Sequence, residues 1–480
     1  SAVCHELSKD AMFPVYLFAP YAKLTFLQHN KRCSMRLDKS LLCIGITLAL
    51  SACGGSDSGG TDNSGGTNND DGYAFCSVED QNQRFFEYMK DDYFWADQLQ
   101  DSLDPEAFDD VYAVLEELRV PEDRYSYILT EEEYDQLFVS ATYFGFGFSM
   151  EQISESRVKF RFVYDDSPAD TAGIDRADEL IAIEGVAVSE LLANGEFNDA
   201  LGPNEEGLSR EITWQKPDGT EQTEVLSKVE VETNTVMGAQ TYQLDGETVG
   251  YFTLDSFINR TGDDLNNAFD LFAAEGINHL VIDVRYNGGG LIRYANQVAT
   301  QAAGINVQGE TFLEYRFNEQ NSSNNQSIDF SLVDGVEQLD LDRVFVLTTG
   351  SSCSSSEIII NSLSPHIEVV TVGEPTCGKP VGQQPEELCD KVTFAINFET
   401  VNSEGEGKYY DGIAPNCSVE DEIVGDWGST EDPLTAAANT YISSGSCPAA
   451  SASAETKKSA QKRSFVTPIY NMKDKRESIQ

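Results

Sequence analysis

Short apolar runs alternate with longer segments of helical periodicity through the second half of the chain. The runs GYFTLDSF (250–257), HLVIDVRY (279–286), RVFVLTT (343–349) and EVVTVGE (368–374) are typical of buried strands. Between them, DDLNNAFDLFAAEGI (263–277) and YANQVATQAAG (294–304) space their apolar residues as helices do. Strands that alternate with helices predict an α/β core, which we place at residues 233–448.

The first half of the chain predicts a further, helical domain. Aromatic and aliphatic residues recur at helical spacing in FFEYMKDDYFWADQL (85–99) and the segments after it, which predicts a helical N-terminal domain at 76–140. The predicted fold class is therefore a multidomain α/β (α+β) protein.

Both ends of the chain differ from these domains. Residues 1–34 read as neither a signal nor a domain, whereas 35–52 combine a short basic region, an apolar run and the ending Leu-Ser-Ala before Cys53. That run is too short to span a membrane, and the pattern is that of a bacterial lipoprotein signal in which Cys53 is lipidated. An ordinary secretory peptide is the alternative, and both predict export. Gly54 after the cysteine favours the outer membrane, facing the periplasm.

Two segments have compositions that cannot bury a core. Residues 53–75 are almost wholly Gly, Ser, Thr, Asn and Asp, which predicts a flexible tether. The polar and locally basic residues 449–480 predict a disordered tail.

The charge balance excludes some partners. The chain carries 81 acidic and 32 basic residues, for a net charge of −49. Such acidity argues against nucleic acid as a partner and favours a strongly solvated surface. The carboxylates lack the spacing of a calcium loop, so no metal and no cofactor are predicted.

Ser354 and Lys379 form a candidate catalytic pair. Ser354 lies where the apolar run 343–349 turns into an apolar helix beginning near Ser356, a turn that presents a hydroxyl outward. A lysine can take its proton if burial lowers the lysine pKa from about 10.4 to roughly 7 to 8, which needs about 4 kcal/mol of desolvation. The amide of Ser355 at the helix start, with the glycine turn 287–290, could stabilise an oxyanion.

At these residues the chain resembles the C-terminal processing peptidases, or tail-specific proteases. Their S-A-S-A-S-E frame is matched by SCSSSE at 352–357, and its middle, catalytic serine is Ser354. Their G-E-P-T-x-G-K segment is matched at 373–379, ending at Lys379, and their lysine-orienting glutamine is matched by Gln383. Their D-x-R-x-N-P-G-G turn is matched at 283–290, where Gly289 would donate to the oxyanion and Gly288 replaces proline.

The resemblance extends upstream and covers about residues 80–430. YFGFGFSM followed by SPADTAGI resembles a PDZ domain, which implies a β-rich, PDZ-like domain at 141–232. Its loop at Gly145, Phe146, Gly147 and Phe148 would offer amides to a C-terminal carboxylate. Ala177 stands where the family usually has glycine. The resemblance further implies a protease core of the ClpP/crotonase-like kind at 233–448.

The cysteines and histidines leave several alternatives. Beyond Cys53 six cysteines remain, and six allow fifteen pairings. We expect Cys377–Cys389 to stiffen the lysine segment and Cys417–Cys447 as a second bridge, while Cys353 is a buried small residue, a redox-sensitive thiol or an alternative nucleophile. His366 follows Ser354 by a helix length, which argues against a histidine base.

Together these features predict an exported, lipid-anchored serine endopeptidase that recognises protein substrates by their free C-terminal tails. The alternative is a PDZ-containing peptide-binding scaffold of the envelope that has lost turnover.

Overall fold

The computed structural model describes residues 77–135, 142–331 and 335–449. The predicted upstream segment 1–34, leader 35–52, lipidation site Cys53, the tether 53–75 and nearly all of the tail 449–480 lie outside the described residues. Within the described part, no helix is both long enough and apolar enough to cross a bilayer.

The N-terminal segment is helical at first and ends in a strand joined to the core. Its helices and strand are α1 (Val78–Asp92), α2 (Val111–Leu118), β1 (Tyr127–Thr130) and α3 (Glu131–Tyr134), with short 3-10 turns at Ala96–Gln98 and Pro105–Ala107. A capping box between Ser77 and Asp80 begins α1. The helical prediction holds for α1 and α2 and misses β1, because the few residues of β1 take their order from a distant partner strand.

Residues 142–232 form a β-rich region with three short helices. Its elements are β2 (Thr142–Gly145), β3 (Phe148–Ser154), β4 (Arg157–Val163), α4 (Pro168–Thr171), β5 (Glu179–Ile183), β6 (Val186–Ala187), α5 (Val188–Asn194), α6 (Phe197–Leu201), β7 (Ser209–Gln215), β8 (Glu221–Ser227) and β9 (Val229–Glu232). The sheet order is β3-β4-β5-β7-β8 with β6 on β5, while β2 pairs with β9. This places β3 at a sheet edge.

The core begins with the elements that build a largely parallel sheet. These are β10 (Val236–Leu244), β11 (Glu247–Leu254), α7 (Thr261–Glu275), β12 (His279–Asp283), α8 (Ile292–Ala303), β13 (Thr311–Phe317), β14 (Gln326–Asp329), β15 (Arg343–Thr348), α9 (Ser355–Leu363) and β16 (Glu368–Gly373), with 3-10 turns at Gly304–Val307 and Ser322–Asn324. β11, β12, β15 and β16 run parallel, and β10 pairs antiparallel at one edge. All four predicted strands and both predicted helices are present.

The chain then adds two smaller sheets and a last helix. These elements are β17 (Val381–Gln383), β18 (Glu386–Leu388), β19 (Lys391–Phe394), β20 (Ile396–Val401), β21 (Cys417–Ser418) and α10 (Pro433–Ser444). β21 extends the parallel sheet beside β16, β14-β13-β20-β17 form a second sheet, and β1-β19-β18 form a third. Because β1 belongs to that third sheet, the N-terminal segment is tied to the core rather than separate from it.

The parallel sheet is buried on both faces. Phe252, Ile282 and Val346 pack toward one apolar cluster that includes side chains of α7, α8 and α9. Tyr251 and Val281, their neighbours in sequence, pack in a second cluster with residues of α10. Alternation along each strand thus fills two helical layers, which explains the near-continuous apolar runs of the sequence.

Candidate functional site

The predicted catalytic segments meet at the carboxyl ends of adjacent parallel strands. The glycine turn 287–290 follows β12, the turn containing Ser354 follows β15, and the loop containing Lys379 follows β16. Since β12, β15 and β16 are neighbours in the sheet, all three segments lie at one edge. That edge is where α/β sheets generally place their ligands. We call residues 349–354 the nucleophile turn and 374–380 the lysine loop.

Ser354 occupies a sharp strand-to-helix turn. Its φ is +54°, in a region that few non-glycine residues adopt, and α9 begins at the next residue. The side chain is partly exposed, whereas Ser355 and Ser356 are buried. Ser355 donates its hydroxyl to the Gly290 carbonyl at 2.7 Å and Ser356 donates to the Asn287 carbonyl at 3.0 Å, which ties the helix start to the glycine turn.

A buried carboxylate, Glu357, joins the nucleophile turn to the lysine loop. Its Oε2 accepts the amides of Ser354 at 2.9 Å and Lys379 at 2.8 Å, so the two backbone nitrogens lie within about 6 Å of each other. Its Oε1 accepts the Gly378 amide at 2.8 Å and the Thr376 hydroxyl at 2.5 Å. Burial raises the pKa of Glu357, and these hydrogen bonds partly offset the rise.

Lys379 is enclosed and held by two partners. Its side chain is only 2% exposed, and Nζ donates to Gln383 Oε1 at 2.8 Å, as expected for an orienting glutamine. Nζ also lies 5.2 Å from the centre of the Tyr125 ring. Tyr125 donates its hydroxyl to the Gly378 carbonyl at 2.8 Å and accepts Gln383 Nε2 at its own carbonyl at 2.7 Å.

The sequence analysis missed both Glu357 and Tyr125. Glu357 ends the matched serine frame, so its position in the first helical turn was a usable signal. Tyr125 comes from the N-terminal segment, more than 250 residues from Lys379, and no local pattern marks it. The structure thus adds two side chains to the predicted Ser354, Lys379 and Gln383.

The predicted oxyanion donors differ in their availability. Ser355 supplies the first helical amide of α9, a position that has no partner within its own helix. Gly289 lies against Ser354, since a Cβ on this glycine would meet the Ser354 Cβ at 2.7 Å. Its amide, however, donates to Asn287 Oδ1 at 2.8 Å, so the expected open donor is engaged in this structure. The cause is an Asx turn, in which an asparagine accepts from the amide two residues later.

A buried arginine fixes the strand that leads into the glycine turn. Arg285 is fully buried and contacts Asp283 at 2.7 Å, Asp421 at 2.8 Å and Asp432 at 2.6 Å. Burial alone would raise the pKa of Asp432, but Arg285 and Arg176 outweigh it and hold the pKa below its usual value. Arg176 comes from the β-rich region, so the same carboxylate also joins that region to the core.

The disulfides correct one expectation and confirm another. Cys377 pairs with Cys353, not with Cys389, and Cys389 belongs to a different disulfide. The expectation favoured the nearer cysteine in sequence, whereas the parallel strands β15 and β16 bring Cys353 beside Cys377. Cys353 is therefore neither a simple buried residue nor a free nucleophile. The predicted Cys417–Cys447 bridge is present.

One cluster in the described part of the chain has metal-ligand chemistry. Cys353 Sγ, Cys377 Sγ and a Glu357 oxygen lie within 4.8 Å of one another. The sulfurs are bonded to each other and the carboxylate already accepts four hydrogen bonds. As it stands, the cluster joins loops rather than offering metal ligands.

The glycine loop, residues 145–148, carries the predicted peptide-binding amides. Phe146 and Phe148 are buried and stack at 5.7 Å between ring centres, so their side chains belong to the core of the β-rich region. Gly147 has φ +88°, and a Cβ there would meet the Ser167 Cβ at 2.0 Å. The loop therefore offers backbone groups only, and it leads directly into the edge strand β3.

Tyr143 covers the glycine loop. A Cβ on Gly145 would meet the Tyr143 ring at 2.1 Å. Burial raises the pKa of Tyr143, and the nearby Gly147 amide opposes that rise. The Tyr143 ring also contacts that of Tyr164, whose hydroxyl donates to Asp255 Oδ2 at 3.0 Å. One of the predicted carboxylate-binding amides thus lies near a side chain of the same region.

The two described histidines lie away from the catalytic segments. His279 starts β12, opposite the glycine turn, and pairs with Glu247 at 2.6 Å. His366 follows the far end of α9 and lies 3.2 Å from the Ser403 hydroxyl. Neither position offers a base to Ser354, which agrees with the sequence argument.

Comparison with known proteins matches the region of the chain that contains these segments. Residues 248–419 match the model of peptidase family S41, and residues 80–127 match the S41 N-terminal domain. The chain is 28% identical over 329 residues to a carboxyl-terminal-processing protease of Picosynechococcus, covering 66% of this chain and 75% of the relative. A protein of the same description from Synechocystis is 26% identical, with 66% and 72% covered.

A solved structure supports the fold. A Bacteroides fragilis protein assigned to the S41 proteases superposes with a TM-score of 0.63 at 21% identity, covering 75% of this chain and 97% of that one. At this level of identity the match concerns the fold alone.

Proposed function

We propose that this chain, which belongs to peptidase family S41, cleaves protein substrates with Ser354 as nucleophile and Lys379 as general base. The family makes it a serine-type peptidase. The identity of the dyad, the recognition of substrate tails and the site of action are the further parts of the proposal, and each is supported by separate observations.

In the proposed reaction Lys379 acts as base in both the acylation and the deacylation step. Ser354 Oγ attacks the scissile carbonyl carbon while its proton passes to neutral Lys379 Nζ. The negative oxygen accepts the Ser355 amide, and Gly289 becomes a second donor when the oxyanion draws its N–H from Asn287 Oδ1. Lys379 then protonates the leaving amine, which leaves an acyl group on Ser354. Water hydrolyses this ester with Lys379 again acting as base.

The observation that carries the dyad is the enclosure of Lys379. Its 2% exposure disfavours the charged ammonium, and Gln383 offers Nζ a neutral acceptor at 2.8 Å. Glu357 brings the Lys379 and Ser354 backbones together through a shared carboxylate oxygen. A lysine in this setting is suited to proton transfer at neutral pH.

We propose that the β-rich region is PDZ-like and captures the C-terminal tails of substrates. β3 pairs with β4 on one side only among the described residues, which supports addition of an extended peptide along its outer edge. The glycine loop precedes β3, so a terminal carboxylate there would continue into a β-paired tail. We infer that a peptide uses the Gly147 amide by moving the nearby Tyr143 hydroxyl aside.

We further propose that the chain acts outside the cytoplasm, held to the outer membrane through lipidated Cys53. The leader pattern at 35–52 and the tether composition at 53–75 support this. Disulfides at Cys353–Cys377 and Cys417–Cys447 are consistent with an oxidising compartment. Replacing Cys53 with serine should abolish labelling of the protein with a palmitate analogue. The variant should also appear in the soluble fraction when membranes are washed.

Hydrolysis of a denatured protein substrate tests the dyad. Ser354→Ala and Lys379→Met should each lower kcat at least about 1000-fold, because one removes the nucleophile and the other its base. Ser364→Ala, at the far end of α9, serves as the matched serine control and should keep wild-type kcat. Full activity in Lys379→Met would exclude lysine as the base. If the wild type and the Ser364→Ala control also hydrolyse nothing, the scaffold alternative is favoured.

A further inference from the structure

The Cys353–Cys377 disulfide joins the two catalytic segments beside their reactive residues. Cys353 precedes Ser354, and Cys377 lies two residues before Lys379. Along the backbone the two cysteines are 24 residues apart, on a route that passes through α9 and β16. The bridge closes this route to a Cα–Cα distance of 5.3 Å. It is the covalent counterpart of the carboxylate link through Glu357.

The two links act on different parts of the loops. Glu357 holds the amides of Ser354, Gly378 and Lys379 from the buried side of the turn. The disulfide holds the preceding residues, where the other contacts include the Cys353 amide to the Asn287 carbonyl at 3.0 Å and the Cys377 amide to the Ser352 carbonyl at 3.1 Å. Opening the bridge therefore loosens the loops without removing every contact between them.

The bridge is also within reach of solvent. Cys353 and Cys377 are both partly exposed, whereas Glu357 beneath them is fully buried. A thiolate attacks a disulfide along the S–S bond, so some exposure of the bridge is required for its reduction. The pair thus combines an accessible bond with a position next to the reacting groups.

We propose that the Cys353–Cys377 disulfide is a positioning element of the peptidase site and that its reduction by a dithiol slows catalysis. The inference rests on the proposed Ser354–Lys379 mechanism. A thiolate of the dithiol attacks one sulfur and forms a mixed disulfide, and the other cysteine leaves as a thiolate that takes up a proton. The second thiol of the reductant then displaces the remaining cysteine. The bridge gains two electrons and two protons, and the dithiol becomes a disulfide.

The expected effect is on turnover more than on substrate binding. A displacement of about 1 Å between nucleophile and base can lower a rate about 100-fold. The edge strand β3 and the glycine loop lie in another region of the chain, so the affinity for a substrate tail should change little. Loosening also admits water to Lys379, which favours its ammonium, so the acidic limb of the kcat profile should move to higher pH.

Paired cysteine variants separate this bridge from the others. We would measure kcat, KM and the pH profile before and after treatment with dithiothreitol for the wild type, Cys353→Ala/Cys377→Ala and Cys417→Ala/Cys447→Ala. The wild type and the Cys417/Cys447 variant should lose about tenfold or more in kcat on reduction, with KM changed less than about threefold. The Cys353/Cys377 variant should have the low kcat under both conditions.

Two further measurements separate the proposed effect from misfolding. Reoxidation of the reduced wild type should restore kcat, and thermal unfolding should show that the Cys353/Cys377 variant is folded. Unchanged wild-type kcat after alkylation has verified reduction of Cys353 and Cys377 would overturn the inference, as would wild-type kcat in the folded variant. If the oxidised wild type cleaves nothing, the proposed function itself fails. If it cleaves through Ser354 and ignores the reductant, only this inference fails.

Discussion

The catalytic loops and the glycine loop are held in different ways. The nucleophile turn and the lysine loop share a disulfide and a buried carboxylate with four donors, so several strong contacts would have to break before they separate. The glycine loop is shaped by Gly147 and by packed aromatic rings, and one of its amides lies near the Tyr143 hydroxyl. A site that positions a proton transfer needs the first arrangement, whereas a site that exchanges ligands can use the second.

Glu357→Gln should have the largest effect, because it loosens the contact between the nucleophile turn and the lysine loop. In either orientation of the amide, its NH2 group faces a backbone N–H, because Oε2 accepts Ser354 and Lys379 and Oε1 accepts Gly378. This should cost about 2–4 kcal/mol of stability and lower kcat about 100-fold. Denaturant unfolding and peptide hydrolysis measure both effects, with exposed Glu310→Gln as control. Wild-type kcat in Glu357→Gln would show that the carboxylate does not position the dyad.

Asp255 tests the contact between the β-rich region and the core, because its Oδ2 accepts the Tyr164 hydroxyl at 3.0 Å. Burial raises the pKa of Asp255 to about 6, with Arg161 and the Tyr164 hydrogen bond opposing the rise. Because the folded-state pKa lies above the ordinary value of 3.8, the folded protein binds this proton more tightly than the unfolded chain does. The stability from this group is present at low pH and is lost as pH rises through about 6.

Asp255→Asn should therefore be more stable than the wild type at pH 7, with a free energy of unfolding about 1–2 kcal/mol higher. This difference should shrink toward pH 4. The measured quantity is the difference in unfolding free energy between variant and wild type, since other carboxylates affect both equally. Exposed Asp270→Asn is the control and should show no such slope. A difference that stays constant from pH 4 to 7 would contradict the account.

Tyr143→Phe should open the looser region. The change removes the hydroxyl that lies near the Gly147 amide and leaves the ring in place. A peptide with a free C-terminal carboxylate should then bind about 3- to 10-fold more tightly, since it no longer competes for that donor. Fluorescence anisotropy in a Ser354→Ala background measures this, with Tyr242→Phe, whose hydroxyl bonds Asn439, as the matched control. Equal affinities for the two variants would exclude Tyr143 as the competitor.

Ala177→Gly should give the smallest effect. Ala177 has φ +72° in the β-rich region, a conformation that costs alanine about 1 kcal/mol and glycine little. Part of the gain is offset by the greater freedom of glycine in the unfolded chain, so we expect about 0.5 kcal/mol of stabilisation. Thermal unfolding measures it, and Ala172→Gly, where φ is −76°, should destabilise instead. Loss of stability in Ala177→Gly would contradict the strain argument.

The sequence predicted the elements better than it predicted the contacts between them. The strands and helices of the parallel sheet follow from apolar runs and helical spacing. Ser354 and Lys379 were predicted from local segments, and Gln383 from the resemblance to the C-terminal processing peptidases. The Cys353–Cys377 bridge depends on β15 lying beside β16, which spacing does not specify. Gly289 was expected to be open because the Asx turn at Asn287 forms only in three dimensions. Tyr125 lies just before β1, and β1 pairs with β19, which lies far along the chain. Local spacing does not predict that pairing.

The rate of fluorophosphonate labelling tests the Ser354–Lys379 pair most directly, because it reports the activated hydroxyl without requiring a known substrate. We predict that the wild type is labelled at Ser354, as mapped by peptide mass spectrometry, at a rate that rises with a single ionisation. Lys379→Met should lose both the rate and its pH dependence, while Ser354→Ala should not be labelled. Labelling of Lys379→Met at the wild-type rate, or at a serine other than Ser354, would contradict the account.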